Sequence, residues 1–177
     1  MGILSTIYVI PIIPFSKRSP NLRDLPYVKI FVIGLVWSLI IVWLPMADAS
    51  SFLHFSQKIG LALLQNFLFI MAITLPFDIR DLTFDEKSNL KTIPRLIGVK
   101  NSIILAEALL IGSISLLYFL LPNSIHFYGL LVGYIITMFL ILFTAQKRKE
   151  LFFAGLIEGT ILVLYLSTIL TDYLFSL

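Results

Sequence analysis

The sequence has no cysteine among its 177 residues and few charged residues. The absence of thiols excludes disulfide bonds, a thiolate metal site and a cysteine nucleophile. Only 13% of the residues are Asp, Glu, Lys or Arg, which is about half the share found in soluble domains. Nucleotide-binding glycine-rich loops, an H-E-x-x-H metal motif and a G-x-S-x-G nucleophile motif are also missing. These absences exclude a soluble globular protein and set aside several common enzyme chemistries.

Hydrophobic residues make up 59% of the chain, and the mean hydropathy is +0.99. Five apolar segments have the roughly 20 residues that a helix needs to cross about 30 Å of hydrocarbon. They cover residues 28–46, 59–77, 102–121, 125–145 and 151–171. Their apolar runs are continuous rather than alternating, which favours helices over barrel strands. We therefore predict an all-α integral membrane protein in which residues 1–177 form a single multi-helix bundle.

A sixth apolar segment, residues 1–15, is too short to span and is broken by Pro11 and Pro14. No basic residue precedes its apolar run and no small-residue cleavage site follows it, so it does not have the pattern of a signal peptide. It has the pattern of the last turns of a helix. We therefore expect an N-terminal helix stub and a chain that lacks the first part of its fold.

Basic residues are confined to three of the segments between the apolar runs. Four lie between the stub and the first apolar segment or at its start, namely Lys17, Arg18, Arg23 and Lys29. Five lie in residues 78–101 and three in residues 146–150, so Lys58 is the one exception among the 13. All three segments fall on one side of the membrane if the five helices span it. The positive-inside rule then predicts that these segments are cytoplasmic and that the C-terminus is outside, in the cell membrane. The net charge of +3 follows this topology and does not indicate a nucleic-acid partner.

The segment 78–101 is the longest predicted loop and holds the chemistry-bearing residues. Asp78, Asp81 and Asp85 have the spacing i, i+3, i+7, and they share one face if the helix of residues 59–77 continues through them. Like charges on one face repel, so a cation is needed to compensate them. Mg²⁺ binds carboxylate oxygens, and its remaining ligands are typically waters and the phosphate oxygens of a substrate. The pattern favours a metal-bridged diphosphate at the membrane surface.

Four basic residues accompany the three aspartates and would bind the remaining phosphate charge. They are Arg80, Lys87, Lys91 and Arg95. A simpler interpretation stays open, in which the acids cap a helix or pair with Arg80 and Lys87 on a solvated surface.

The same residues resemble a known motif. The stretch Leu75–Asp81, followed by Asp85, Lys91–Pro94 and Leu96–Gly98, resembles the second aspartate-rich motif of UbiA-type intramembrane prenyltransferases. In that family a D-x-x-x-D core runs into a K-T-x-x-x-x-x-G segment. Asp81 and Asp85 match the core, and Lys91, Thr92 and Gly98 match the segment that follows. Asn89 stands where the family often has glycine, and it is a residue that tolerates a left-handed turn.

The resemblance implies a fold and an activity. Family members are bundles of nine transmembrane helices, of which this chain would supply the end of the fourth and all of the fifth to ninth. They transfer a prenyl group from prenyl diphosphate to a hydrophobic, often aromatic, acceptor, with Mg²⁺ as cofactor. By the same resemblance Asp81 and Asp85 would be catalytic, and Asp78 would join them as a metal ligand. The four basic residues would bind the diphosphate.

One departure from the family is the missing first aspartate-rich motif. Asp24 is isolated, and the sequence has no second acidic cluster. We therefore expect a truncated protein that is inactive alone, or a partner chain that supplies the first half of the site. Two other functions stay open: a non-catalytic membrane binding or assembly protein, and a small transporter that uses Glu107 and Glu158. The D-G-x-x-A-R signature of CDP-alcohol phosphotransferases, which also use aspartates and a metal, is absent.

Some polar and small residues lie within the predicted spans. Gln65 and Asn66 are near the middle of their helix, where interhelical hydrogen bonding is the expected role. Gly129 and Gly133 form a small-xxx-small pattern that predicts close packing of helices within the chain.

Overall fold

The computed structural model describes residues 28–46, 56–87, 92–145, 152–157 and 159–175. Every regular element in these ranges is helical. The helices are α1 (Val28–Trp43), α2 (Gln57–Arg80), α3 (Leu82–Lys87), α4 (Ile93–Ile97), α5 (Val99–Leu120), α6 (Ile125–Leu142) and α7 (Gly159–Phe175). Short 3₁₀ turns end α1 and α6, and a π-helical segment, Phe152–Ile157, precedes α7. The stub of residues 1–15 lies outside the described ranges.

Helices α2, α5 and α6 are long and apolar enough to cross a membrane, with 24, 22 and 18 residues. Helices α1 and α7 are apolar but shorter, with 16 and 17 residues. Large hydrophobic side chains such as Phe119 and Tyr173 are exposed on the surface of the bundle, where lipid rather than water would be a favourable environment. The predicted all-α membrane bundle is confirmed, and the number of spans stays a prediction.

Helix α2 lies between α1 and α5 and contributes more buried residues than any other described helix. Ser56 caps its start, because the side-chain oxygen accepts the backbone N–H of Ile59. Pro76 lies inside the helix and cannot donate a backbone hydrogen bond, yet the helix continues to Arg80. Two side chains in the turn before it, Ala72 and Leu75, are completely buried, with 0% exposure. Packing on both sides therefore holds α2 together beyond the proline.

Helices α5 and α6 are joined by a short turn and run antiparallel. Helices α6 and α7 also pack closely, because Gly129 and Gly133 have no side chain at the contact. A Cβ atom on Gly133 would lie 2.5 Å from Leu164 Cδ2, and one on Gly129 would lie 3.0 Å from the carbonyl oxygen of Ser167. The predicted role of this glycine pair in packing within the chain is confirmed.

The start of α1, the end of α2, helices α3 and α4 and the start of α5 lie together at one end of the bundle, which we call the motif end. Residues 78–101 were expected to form a loop. Instead they comprise the last turn of α2, the short helices α3 and α4 and the first residues of α5, along with residues that lie outside the described ranges. This region is therefore built mainly of helical pieces that pack on one another.

Candidate functional site at the motif end

Asp78 lies in the last turn of α2 and is almost completely buried, with 3% of its surface exposed. Lys29, the second residue of α1, donates to its Oδ1 atom over 3.0 Å. Lys29 is half-exposed, so its ammonium group reaches in from the surface to a carboxylate that has lost most of its water. The pair therefore adds a residue to the site that lies 49 positions away from its partner in the sequence.

Asp81 ends one helix and begins the next. Its backbone N–H bonds to the carbonyl of Phe77 at the end of α2, and its own carbonyl accepts from Phe84 and Asp85 in α3. Helix α2 therefore does not continue through the aspartates, and α3 starts as a separate helix. The shared face of the three carboxylates was expected only if one helix continued through them, and that helix is interrupted at Asp81.

The Asp81 carboxylate is paired with its sequence neighbour. Arg80 Nε donates to Oδ1 over 2.7 Å and Arg80 Nη2 donates to Oδ2 over 3.1 Å. The same guanidinium lies over the rings of Phe77 and Phe153, at 5.4 and 5.7 Å from their centres. Both charged side chains remain about one-third exposed. The open alternative from the sequence, in which an aspartate pairs with Arg80, thus holds for Asp81.

Asp85 on α3 is in a different state from the other two aspartates. It has 4% exposure, and its Oδ2 atom is buried without a hydrogen-bond partner among the described residues. Burial raises the pKa of the Asp85 carboxyl above its ordinary value, since the charged form loses solvation. The positive charges of Lys29 and Arg95 act in the opposite direction, and the Asp81 charge adds to the rise. Asp85 is therefore a carboxylate whose environment leaves one oxygen unsatisfied.

Thr92, at the start of α4, holds a second unsatisfied oxygen. It occupies the N-cap position, where a threonine side chain ordinarily accepts a backbone N–H from the first turn. No such bond forms here, and Pro94, at the second helical position, has no N–H to give. The Thr92 Oγ1 atom is buried and unpartnered in the described part of the chain. Because α3 and α4 pack against each other, Asp85 and Thr92 belong to adjacent elements.

Of the four predicted basic residues, the structure describes the side chains of Arg80 and Arg95. Arg95 on α4 is exposed, and its positive charge is close enough to Asp85 to lower the pKa of that carboxyl in part. Lys91 and the side chain of Lys87 lie outside what the structure describes. Among the described residues, no three His, Cys, Asp or Glu side chains group closely enough to hold a metal ion. The structure therefore brings Arg80, Asp81, Asp85 and Arg95 to one end of the bundle without joining all three aspartates in one cluster.

The residues at this end can be tested for their fit to Mg²⁺. Asp85 has a buried carboxylate oxygen without a partner among the described residues, and the Thr92 hydroxyl is a second oxygen in the same condition. Oxygen atoms of this kind suit a hard cation that completes its shell with water and phosphate. Asp78 fits less well, because Lys29 already holds its Oδ1 atom. The donor set thus fits a cation best at Asp85 and Thr92, because Arg80 already holds both Asp81 oxygens and Lys29 holds Asp78 Oδ1.

The sequence alone did not identify Lys29 as a residue of this site, and it did not indicate the unsatisfied hydroxyl of Thr92. Lys29 carried a usable signal, because it begins an apolar helix on the predicted cytoplasmic side, where the aspartates also lie. Thr92 carried one too, because threonine is a common N-cap residue and a proline two residues after it cannot donate a capping N–H.

The sequence match to known families agrees with this arrangement. The chain matches the UbiA prenyltransferase family over residues 3–154, which is most of its length and includes all the residues of the motif end. No curated protein and no solved structure gives a significant match. The chain is an all-α membrane protein that belongs to the UbiA prenyltransferase family.

Proposed function

We propose that this protein binds prenyl diphosphate at the motif end and acts in the transfer of the prenyl group to a hydrophobic or aromatic acceptor. Family membership supports the reaction class. In this proposal Asp81 and Asp85 hold Mg²⁺ as the catalytic pair, and the metal, when bound, neutralises charge on the departing diphosphate. The isoprenoid tail lies among the apolar helices. The motif end faces the cytoplasm and the C-terminus lies outside.

The observation that carries the proposal is that Asp85 and Thr92, on adjacent elements of the motif end, each have a buried oxygen without a hydrogen-bond partner among the described residues. Leaving a buried polar group without a hydrogen bond costs about 1–3 kcal/mol, and more when the group is charged. Two such atoms on adjacent short helices point to a polar ligand that completes them. Both residues belong to the segments that resemble the family motif, so the same ligand accounts for the geometry and the sequence.

The basic side chains are assigned to the diphosphate. Arg95 stands exposed on α4, and we propose that it turns from the protein surface to the phosphate oxygens together with Lys87 and Lys91. Arg80 is already bonded to Asp81, so it would stabilise the anion through a shared network rather than as an independent cation. Asp78 would serve as a positioning residue, because its bond to Lys29 fixes the end of α2 against α1.

The sequence holds only one acidic cluster, and family members use two to hold their metals and diphosphate. We therefore expect substrate binding by this chain alone to be weak and its transferase activity to be very low. A non-catalytic binding or assembly protein is the second candidate. The ion pairs of Asp78 and Asp81 favour it, because they satisfy two of the three aspartates without any ligand.

The proposal is tested by Mg²⁺-dependent binding of farnesyl diphosphate to the purified protein in detergent or nanodiscs, measured by equilibrium dialysis. Asp85→Asn and Asp81→Asn should each weaken binding by about 10-fold to 100-fold, since loss of a ligand should cost at least as much as loss of an outer-shell partner. Removal of Mg²⁺ with a chelator should have a similar effect on the wild-type protein.

Glu107→Gln is the matched control, because it makes the same change from acid to amide on α5 and outside the motif. It should leave Mg²⁺-dependent binding unchanged. Equal binding by the wild type, Asp81→Asn and Asp85→Asn would contradict the site assignment. Binding that depends on the aspartates, but without transfer to any acceptor, would favour the binding protein over the enzyme.

A further inference from the structure

A cavity of about 390 Å³ lies in the bundle, between α1, α2, α5, α6 and α7. Its walls are mostly hydrophobic side chains, among them Ile41, Phe69, Leu117 and Leu164. The volume falls in the range of about 300–1,000 Å³ that small-molecule sites occupy. The size and lining of the cavity suit a lipophilic molecule that enters from the membrane.

The cavity also has a polar side, formed by Gln65, Asn66 and Tyr134. The hydrogen bonds of Gln65 and Tyr134 are used within the protein. Gln65 Nε2 donates to Tyr134 Oη and to Ser113 Oγ, the Ser113 hydroxyl lies 2.8 Å from Tyr134 Oη, and Ser113 Oγ also donates to the Gln65 carbonyl over 2.9 Å. This closed network leaves no donor hydrogen for a ligand.

Asn66 is different, because only half of its side-chain amide is engaged. Its Nδ2 atom donates to the carbonyl oxygen of Ala62 over 3.0 Å and to Gln65 Oε1 over 2.9 Å. The Ala62 carbonyl can only accept, and this fixes which end of the amide is the nitrogen. No described residue donates to Asn66 Oδ1. Among the described residues that line the cavity, Asn66 therefore supplies a carbonyl oxygen that has no described donor and can accept a hydrogen bond from a ligand.

The cavity lies well away from the motif end. Asn66 precedes Asp78 by twelve residues on α2, which corresponds to about 18 Å along the helix axis. None of the described residues that line the cavity is charged. An anionic group such as a diphosphate or a carboxylate would meet the Asn66 oxygen without any compensating cation, so it is disfavoured there. The apolar and uncharged polar residues that line the cavity therefore favour a neutral ligand.

We propose that this cavity is a binding site for an uncharged lipophile with a hydroxyl or N–H group that donates to Asn66 Oδ1. Apolar walls hold the hydrocarbon part, and the single acceptor sets the orientation of the polar end. The site is separate from the aspartates and does not depend on the function proposed above. It would let the bundle distinguish a lipid alcohol from a hydrocarbon or ether of the same shape.

The test uses farnesol and farnesyl methyl ether, which share the hydrocarbon chain, while only the alcohol can donate. Equilibrium binding of each to the full chain in nanodiscs is measured with empty nanodiscs subtracted. The wild-type protein should bind farnesol about fivefold to tenfold more tightly than the ether, as expected for one hydrogen bond. Asn66→Leu should remove this preference by weakening the binding of farnesol alone.

Two further variants make the outcome decisive. Asn101→Leu, at an exposed position of α5, repeats the same substitution outside the cavity and should leave the preference intact. Leu130→Phe adds bulk to the cavity wall and should weaken both ligands. Equal affinity of the wild type for alcohol and ether would overturn the proposal, as would an unchanged preference in Asn66→Leu. Binding should persist with a chelator present and in Asp85→Asn, so failure here is distinguishable from failure of the diphosphate site.

Discussion

Polar side chains meet in two places in this bundle, in the interior around Gln65 and at the motif end around Asp85, and the two places differ in how their hydrogen bonds are completed. In the interior, Gln65, Ser113 and Tyr134 bond to one another and are all buried. At the motif end, Asp85 and Thr92 each keep a buried oxygen without a partner in the described chain. A satisfied network stabilises the fold, whereas an unsatisfied one lowers stability until a ligand binds. The difference separates the network of Gln65, Ser113 and Tyr134, which holds the bundle together, from Asp85 and Thr92, whose oxygens are available to a ligand at the motif end.

The ion pair of Lys29 and Asp78 lies at the motif end but is satisfied, so it should contribute to stability. We expect its loss to have the largest effect on the free energy of unfolding. Lys29→Met should lower the free energy of unfolding by about 2–3 kcal/mol, because it leaves a buried carboxylate without its cation. This value is below the 3–5 kcal/mol of a fully buried pair, since Lys29 is half-exposed. The measurement is an SDS titration of the detergent-solubilised chain.

Lys58→Met is the matched control, because Lys58 is an exposed lysine at the opposite end of α2. Its effect should stay within about 0.5 kcal/mol. Combining Lys29→Met with Asp78→Asn should restore part of the lost stability, because the second change removes the unpaired charge. If the double variant is as unstable as the sum of the two single variants, the pair does not act as a unit.

The interior network should show a smaller loss of stability. Gln65→Leu keeps the apolar bulk but removes a donor to Ser113 and Tyr134 and an acceptor for Asn66. We expect a decrease of about 1–2 kcal/mol in the free energy of unfolding, in line with hydrogen bonds between membrane helices. Tyr134→Phe, which removes one hydroxyl, should cost less. A loss below about 0.3 kcal/mol for both variants would mean that the network contributes little to stability.

The sequence was sufficient for features that depend on nearest neighbours and on periodicity. Apolar runs predicted the helical membrane bundle, and the position of Gln65 within a span predicted its interhelical bonds. The same prediction for Asn66 is wrong, because its described hydrogen bonds go to Ala62 and Gln65 on its own helix. Gly129 and Gly133 predicted the close approach of two helices. Each of these follows from the character of one segment, because lipid and helix geometry leave few alternatives.

The features that the sequence did not reveal depend on pairs of distant residues or on local breaks. Lys29 and Asp78 meet only because α1 and α2 lie side by side, and neither residue specifies that contact. The interruption at Asp81 has no proline or glycine to announce it, whereas Pro76 sits inside a helix that continues. In both cases packing decides the outcome over local propensity.

The smallest effect on stability is expected at Asp85, whose Oδ2 atom has no hydrogen-bond partner among the described residues. In metal-free protein, Asp85→Asn should change the free energy of unfolding by no more than about 0.5 kcal/mol or raise it by up to about 1 kcal/mol. The substitution keeps the shape of the side chain and removes a buried charge whose Oδ2 atom has no partner among the described residues. The same SDS titration measures this change.

The Asp85→Asn variant should differ more clearly from the wild type when ligand is present. Mg²⁺ with farnesyl diphosphate should stabilise the wild type by mass action, and this gain should disappear in Asp85→Asn. Glu107→Gln on α5 serves as the control, since it also converts to an amide a carboxylate that has a buried oxygen without a partner among the described residues. It should keep the full ligand-dependent gain. A loss above about 2 kcal/mol in metal-free Asp85→Asn would instead make Asp85 a structural residue like Gln65, because only a partnered group costs that much to remove.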